Sequence, residues 1–111
     1  MKLRLEKDKI TIRLAPSEIE NFVTKKYLEE KLYISKNNRF AFALSISETS
    51  QSCVAEFKPD ALQVVVPVEK VNKWINSKQV GIKETIVTIS GDEIVLTLEE
   101  DLPPRKNKKK N

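Results

Sequence analysis

The sequence predicts an α+β fold, mainly antiparallel β, in which a tandem duplication of a strand-strand-helix-strand-strand unit forms a closed or partly open barrel with two short helices. Three observations support this prediction. Apolar and polar residues alternate along most of the chain, as in half-buried strands. Two segments instead show the apolar spacing of a short amphipathic helix. The pattern from Ile10 to Phe22 recurs in chemical outline from Leu62 to Trp74, which indicates a repeat.

The first unit begins with a predicted hairpin over residues 2–14, in which apolar residues alternate with charged ones and Lys7-Asp8 forms the turn. Pro16 ends strand pairing, and the spacing of Ser17 and Glu20 predicts a capping box at the start of a helix. The helix has a single apolar stripe, formed by Ile19, Phe22 and Val23.

A second hairpin is predicted from residues 28–34 and 39–46, because Asn37 and Asn38 between them tolerate the backbone angles of a tight turn. The polar segment 48–52 is predicted to connect the two units.

The second unit repeats this order. A hairpin over residues 53–66 turns at Pro59-Asp60, and a strand pair follows at residues 85–89 and 93–99. The helix between them has a stripe of Val71, Trp74 and Ile75. Because each helix offers only about three apolar residues, the helices cannot cover a flat eight-stranded sheet. We therefore expect the sheet to close on itself.

Length and composition indicate one domain, since 111 residues with 40% apolar content suffice for one hydrophobic core. We expect this domain to span residues 1–102, with pseudo-repeats at about 1–47 and 53–101. The sequence contains no long apolar run and one cysteine, Cys53, which favours a cytoplasmic protein without a membrane span or disulfide framework.

The net charge of +4 comes from residues 103–111, which contain five basic residues and no acidic one. The rest of the chain carries 15 basic and 16 acidic residues. We expect the tail to be disordered, and nucleic-acid binding to depend on it alone.

The residue types needed for common catalytic chemistry are scarce. The chain has no histidine, which removes the commonest general base and metal ligand. Cys53 is predicted to fill apolar space, and Trp74 is expected in the core because it is in register with Phe22. The two glycines, Gly81 and Gly91, cannot form a phosphate-binding loop. These features favour a protein that is not an enzyme and has no cofactor.

Two pairs of charged residues are candidate sites. Arg4 and Arg13 lie on neighbouring predicted strands, where two guanidinium groups suit a phosphate or carboxylate ligand. Cross-strand salt bridging to Glu6 explains the same pattern. A weaker alternative is a divalent-metal site at Glu99 and Asp101, whose side chains point to the same face of the last strand.

Six segments of the chain form a recognisable pattern: Met1 to Leu5, Ile12 to Leu14, Ser17 to Glu20, Val66-Pro67 with Trp74, Val80 to Ile82, and Leu96 to Leu102. Through these segments the chain resembles a family of small bacterial proteins of unknown function over nearly residues 1–102. The resemblance implies no activity to carry over. Members tend to have Gly-Asn where this chain has Lys7-Asp8, and a phenylalanine and a cysteine where it has Leu102-Pro103-Pro104.

A more distant resemblance, at the level of fold, is to the triphosphate-tunnel (CYTH) superfamily, whose eight-stranded barrels bind triphosphates in a polar lumen. The first strand here, with Lys2, Arg4 and Glu6, differs from the alternating Glu-x-Glu-x-Lys of that superfamily. A polar lumen would also turn the apolar residues outward, so we expect a dry interior.

The sequence thus favours a small binding module for an anionic small ligand or a protein partner, acting through Arg4 and Arg13. Two alternatives remain open: a phosphohydrolase-like enzyme that uses a divalent metal at Glu99 and Asp101, and a nucleic-acid-associated protein that uses its tail. Apolar residues left uncovered by the helices could also meet a second copy in a homodimer.

Overall fold

The computed structural model describes residues 1–77, 79–87 and 90–101. The predicted order of elements is confirmed, and the predicted tail at 103–111 lies outside the described residues. The elements are β1 (Lys2–Glu6), β2 (Lys9–Leu14), α1 (Pro16–Lys25), β3 (Tyr27–Ser35), β4 (Asn38–Ser47), β5 (Val54–Lys58), β6 (Ala61–Pro67), α2 (Val68–Asn76), β7 (Gly81–Val87) and β8 (Glu93–Glu100).

The strands form two four-stranded mixed sheets. We call the sheet with order β1-β2-β8-β7 sheet A and the sheet with order β3-β4-β6-β5 sheet B. Each sheet consists of two antiparallel hairpins joined by one parallel pairing, β2 with β8 in sheet A and β4 with β6 in sheet B. The α+β class with two helices and mostly strands is confirmed.

The prediction of one antiparallel barrel needs correction, because the described residues form no closed barrel. The prediction assumed that a single sheet had to cover its own apolar face. Instead, one hydrophobic cluster takes side chains from both sheets, so each sheet shields the other. Its fully buried members include Ile12, Leu14 and Leu96 of sheet A and Leu44, Leu62 and Val64 of sheet B.

The helices add one large aromatic residue each to this core. Phe22 of α1 is fully buried and Trp74 of α2 is 4% exposed, so the predicted core positions of both are confirmed. Val23 and Ile75, which the stripes also placed inside, are exposed. Two short helices therefore each present a narrower apolar stripe than predicted.

Helix α1 begins earlier than its predicted capping box. Ala15 is the N-cap, and its N–H donates a 2.8 Å hydrogen bond to the Glu18 carboxylate. Pro16 occupies the first helical position, where its fixed φ suits the helix and its missing N–H costs nothing. The prediction of a box formed by Ser17 and Glu20 was wrong, because Pro16 already starts the helix.

The last hairpin also differs from its prediction. Strand β7 begins at Gly81, where residue 85 was expected, and pairs with β8 from Gly81 opposite Glu99 onward. Among the described residues, no helix is both long enough and apolar enough to cross a membrane.

Candidate functional site

The predicted site residues lie on the outer face of sheet A. Lys2 and Arg4 of β1 stand opposite Arg13 and Thr11 of β2, respectively. The parallel partner strand β8 places Glu99 beside Arg13. The two arginines therefore share one face of the sheet, as the sequence predicted, but the acidic residues of the alternative metal site share it too.

The arginines have different surroundings. Arg13 donates from Nε to Glu99 Oε1 at 2.7 Å. Arg4 is 71% exposed, and its Nε lies 3.7 Å from Glu6 Oε1. Among the described residues, Arg13 is thus engaged by a carboxylate, whereas the ion-pair contact of Arg4 is a loose one with Glu6 of its own strand.

The second acidic residue of this face also has a cationic partner. Lys2 Nζ lies 2.8 Å from Asp101 Oδ2. The hydrogen bond from Lys2 holds the pKa of Asp101 below its usual value, although partial burial opposes this, and the charge of Arg13 adds to the effect.

These contacts bear on the metal hypothesis. Glu99 and Asp101 are each neutralised by a cationic side chain, so a metal ion would have to compete with Arg13 and Lys2. No third histidine, cysteine or acidic residue joins them into a group suited to a metal in the described ranges.

A cleft of about 690 Å³ lies elsewhere, between the β4–β5 connection, the start of α2 and the start of β7. Most of its lining is polar. It is bordered by Glu48, Thr49, Ser50, Gln51, Pro67, Val68, Glu69, Lys70, Lys73, Gln79, Gly81, Ile82, Lys83 and Glu84.

The charges around the cleft are only partly paired. Lys70 forms an ion pair with Glu84, and Lys26 forms one with Glu48. Hydrogen bonding to Glu84 raises the pKa of Lys70, with burial acting in the opposite direction. In the part of the chain that the structure describes, Lys73 and Lys83 have no ion-pair partner. Glu69, which also lines the cleft, has no ion-pair partner in these residues either, so the unpaired charges of the cleft are two ammonium groups and one carboxylate.

A hydrogen-bonded turn and the start of α2 form two walls of the cleft. Ser47 Oγ accepts hydrogen bonds from the N–H groups of Thr49 and Ser50, which fixes the β4–β5 connection as a turn. Pro67, the N-cap of α2, makes no side-chain hydrogen bond to the first turn of the helix. The positive end of the α2 dipole thus borders the cleft without a capping side chain.

Sequence reasoning missed this cleft because its residues come from three separate segments. The available signal was the spacing of Lys70 and Lys73, which places both lysines on one side of the predicted second helix. Nothing in the local pattern indicated that Lys83 would join them.

Comparison with known proteins gives a family but no function. No curated protein and no solved structure matched the chain. The model of a family of unknown function, DUF7009, matches residues 1–111. This agrees with the membership of an uncharacterised family expected from the sequence. The chain therefore belongs to the family of unknown function DUF7009.

Proposed function

We propose that this protein is a non-enzymatic binding module for a small anionic ligand, and that the ligand occupies the cleft beside α2. The observation that carries the proposal is the pair Lys73 and Lys83, whose ammonium groups border a cleft of about 690 Å³ without an ion-pair partner in the described residues. A cleft of this size lies within the range of small-molecule sites. The hydroxyl group of Thr49 adds a neutral hydrogen-bond donor for phosphate or carboxylate oxygens, whereas the Ser50 hydroxyl already donates to the Ser52 carbonyl oxygen.

Thermal unfolding with inorganic phosphate, tripolyphosphate and citrate at constant ionic strength tests this proposal. A ligand at 100 times its Kd stabilises the folded state by about 2.7 kcal/mol. We expect at least one of these anions to raise the Tm of the wild-type protein by several degrees, and the double variant Lys73→Gln/Lys83→Gln to lose this shift.

The matched control is Lys7→Gln/Lys58→Gln, which has the same net charge and changes two exposed lysines outside the cleft. An equal loss in both double variants would mean that the anions act only through net charge, which would contradict the proposed site.

A second candidate location is the face of sheet A that carries Arg4 and Arg13. The exposure of Arg4 favours it, because a guanidinium group with one loose contact can still bind a planar anion. If Arg4→Gln/Arg13→Gln abolishes anion binding while the cleft variant retains it, the ligand binds at this face.

The two other function classes give different results in the same assay. Stabilisation by tripolyphosphate only with magnesium, lost in Glu99→Gln/Asp101→Asn, would favour the metal-dependent enzyme and the analogy with the triphosphate-tunnel superfamily. Salt-sensitive retention on RNA that is lost on truncation after Leu102 would favour the nucleic-acid-associated protein.

We also propose that the fold arose by tandem duplication. The two sheets have equivalent strand orders. If each strand of the first half is renamed as its counterpart in the second half and the reverse, so that β1 becomes β5 and β8 becomes β4, the order β1-β2-β8-β7 becomes β5-β6-β4-β3. This is the order of sheet B read from its other edge. A circular permutant that places residues 53–101 before residues 1–47 tests whether the chain still folds when the halves change order, as the proposal requires. A short linker can join Asp101 to Met1, because Lys2 and Asp101 form an ion pair. Failure of this permutant to recover the wild-type circular dichroism spectrum would oppose the proposal.

A further inference from the structure

Strand β3 is the longest edge strand among the described residues and lies at one end of sheet B. Only β4 pairs with it among the described residues, so its other edge has backbone groups available for another strand. It also carries a concentration of exposed apolar side chains. Leu32, Tyr33 and Ile34 are 55%, 66% and 68% exposed. Such an edge is suited to pairing with a further strand.

The register with β4 assigns the side chains of β3 to two faces. Leu28, Glu30 and Leu32 stand opposite Leu44, Phe42 and Phe40, which belong to or pack against the core. The intervening residues, Tyr27, Glu29, Lys31 and Tyr33, therefore lie on the outer face of sheet B.

We propose that β3 pairs in antiparallel fashion with β3 of a second copy of this chain, about a two-fold axis at Glu30. This register places Glu29 opposite Lys31 of the second copy, and by symmetry Lys31 opposite Glu29. It also places Tyr27 opposite Tyr33 and Leu28 opposite Leu32. The pairing thus brings opposite charges, aromatic rings and aliphatic side chains together, which are the favourable cross-strand combinations.

The like-charged pair at the axis, Glu30 with its own copy, has a compensating cation. The Met1 ammonium lies 3.3 Å from Glu30 Oε2 in each protomer. Each ammonium also pairs with Glu18, so the two carboxylates on the axis would come together beside two ammonium groups that each share their charge with a second carboxylate.

Neighbouring registers lack this complementarity. An axis at Lys31 places that lysine opposite itself and Glu29 opposite Tyr33. An axis at Glu29 places Tyr27 opposite Lys31 and Leu28 opposite Glu30. Of these registers, only the one centred on Glu30 joins opposite charges on the outer face, so the charges of β3 select it.

The other edge strand of sheet B supplies a control. Strand β5 has the same spacing of charges, Glu56 and Lys58, but is only 5 residues long against 9 in β3. Both of its charged residues are exposed. The longer strand offers more backbone hydrogen bonds, and on that ground we assign the interface to β3.

Charge reversal on β3 tests the proposal by sedimentation velocity of the full chain. Wild-type protein is expected to be a dimer. In a homodimer, Glu29→Lys places a lysine opposite Lys31 at two symmetry-related positions, and Lys31→Glu creates two acidic pairs there. Each variant should therefore raise the dimer Kd about tenfold or more. Neither residue has an ion pair within the protomer in the described part of the chain, so both variants should retain the wild-type circular dichroism spectrum.

Mixing the two variants is the decisive measurement. In a heterodimer of the Glu29→Lys chain with the Lys31→Glu chain, every reversed residue again faces an opposite charge, so the mixture should dimerise with a Kd near that of the wild type. The matched controls, Glu56→Lys and Lys58→Glu, should leave the dimer intact. The proposal is overturned if the wild-type chain is monomeric, if the mixture fails to dimerise, or if the β5 variants dissociate the dimer and the β3 variants do not.

Discussion

The Nε atom of Arg13 lies 2.7 Å from Oε1 of Glu99. The sequence offered Arg13 as part of an anion site and Glu99 as part of a metal site, and the structure makes the two residues partners. Their contact follows from the parallel pairing of β2 with β8, which places Arg13 directly beside Glu99. Either ligand would therefore have to displace an existing interaction.

A double-mutant cycle with Arg13→Gln and Glu99→Gln measures this contact. The side chains are 50% and 26% exposed, so solvent screens the pair. We expect a coupling energy of about 0.5 kcal/mol, in the range of exposed ion pairs, that decreases in high salt. Chemical denaturation gives the four free energies of unfolding. A coupling of about 3 kcal/mol or more would instead indicate a pair that behaves as buried.

The thiol of Cys53 should be inert in the folded protein. Its side chain is buried, as the sequence predicted, and burial together with the nearby Glu84 carboxylate raises its pKa to about 11, with Lys70 acting in the opposite direction. Because the thiolate is the reactive form, labelling by a disulfide reagent near neutral pH should be slow until the protein is unfolded.

The rate of labelling with and without denaturant checks this expectation. Glu84→Gln should speed native labelling, because it removes the carboxylate that disfavours the thiolate. Immediate reaction of the native protein would show that Cys53 is more accessible than its 5% exposure implies.

Gly81 should not tolerate a side chain. A Cβ atom there would overlap the Leu98 carbonyl oxygen and lie 2.8 Å from the Glu99 Cα. Both atoms belong to the backbone of the central strand β8, so the clash cannot be relieved by a rotamer change. We expect Gly81→Ala to lower the free energy of unfolding by about 4 kcal/mol or more, or to prevent folding, because the clash strains the backbone of the sheet.

Gly91→Ala is the matched control for this substitution. Gly91 has a φ of +90°, and a Cβ atom added there would meet no atom within 4 Å from the described residues beyond its chain neighbours, so we expect the cost to come from the backbone conformation. We expect a loss of about 1–2 kcal/mol in chemical denaturation. If Gly91→Ala lowered the free energy of unfolding more than Gly81→Ala, close packing would not explain why residue 81 is a glycine.

The sequence was sufficient for most elements because their signals are local. Alternation located the hairpins, and Phe22 and Trp74 marked the buried sides of the helices. The sequence was insufficient to predict which distant strands pair, because the same apolar faces can be covered by closing one sheet or by stacking two. The parallel contacts of β2 with β8 and of β4 with β6 leave no mark in the sequence around either strand.

The same limit applies to the candidate sites. Arg4 and Arg13 could be placed on one face because they lie within one hairpin. The partner of Arg13 could not be identified, because Glu99 approaches from the opposite end of the chain. The cleft was hidden for the same reason, since Lys73 and Lys83 reach it from separate elements.

Glu18 should make stability depend on pH at both ends of the neutral range. Its carboxylate accepts hydrogen bonds from the Met1 ammonium and from the Ala15 N–H. Burial raises the pKa of Glu18, but these hydrogen bonds outweigh it and lower the pKa below the ordinary 4.5. Burial likewise lowers the pKa of the Met1 ammonium, while the hydrogen bonds to Glu18 and Glu30 raise it above 8.0 overall.

The signs of these shifts define the pH window. The contribution of Glu18 is present above pH 4.5 and is lost as the pH falls through its folded-state pKa. The contribution of the Met1 ammonium is present below pH 8.0 and is lost as the pH rises through its raised pKa. Both contributions are complete only between these two values.

The substitution Glu18→Gln isolates the charge, because the amide oxygen can still accept the Ala15 N–H and keep the helix cap. In protein that carries Met1 as its first residue, the variant should lose most stability relative to wild type near pH 6, with a smaller difference in acid and in alkali, because there wild type also loses the ion pair. Urea denaturation across this pH range measures the difference.

Glu20→Gln, an exposed position on the same helix, serves as the control and should show no such maximum. Equal stability of Glu18→Gln and wild type from acid to alkali would contradict the prediction, because it would mean that Glu18 acts on α1 only through the cap hydrogen bond that glutamine retains.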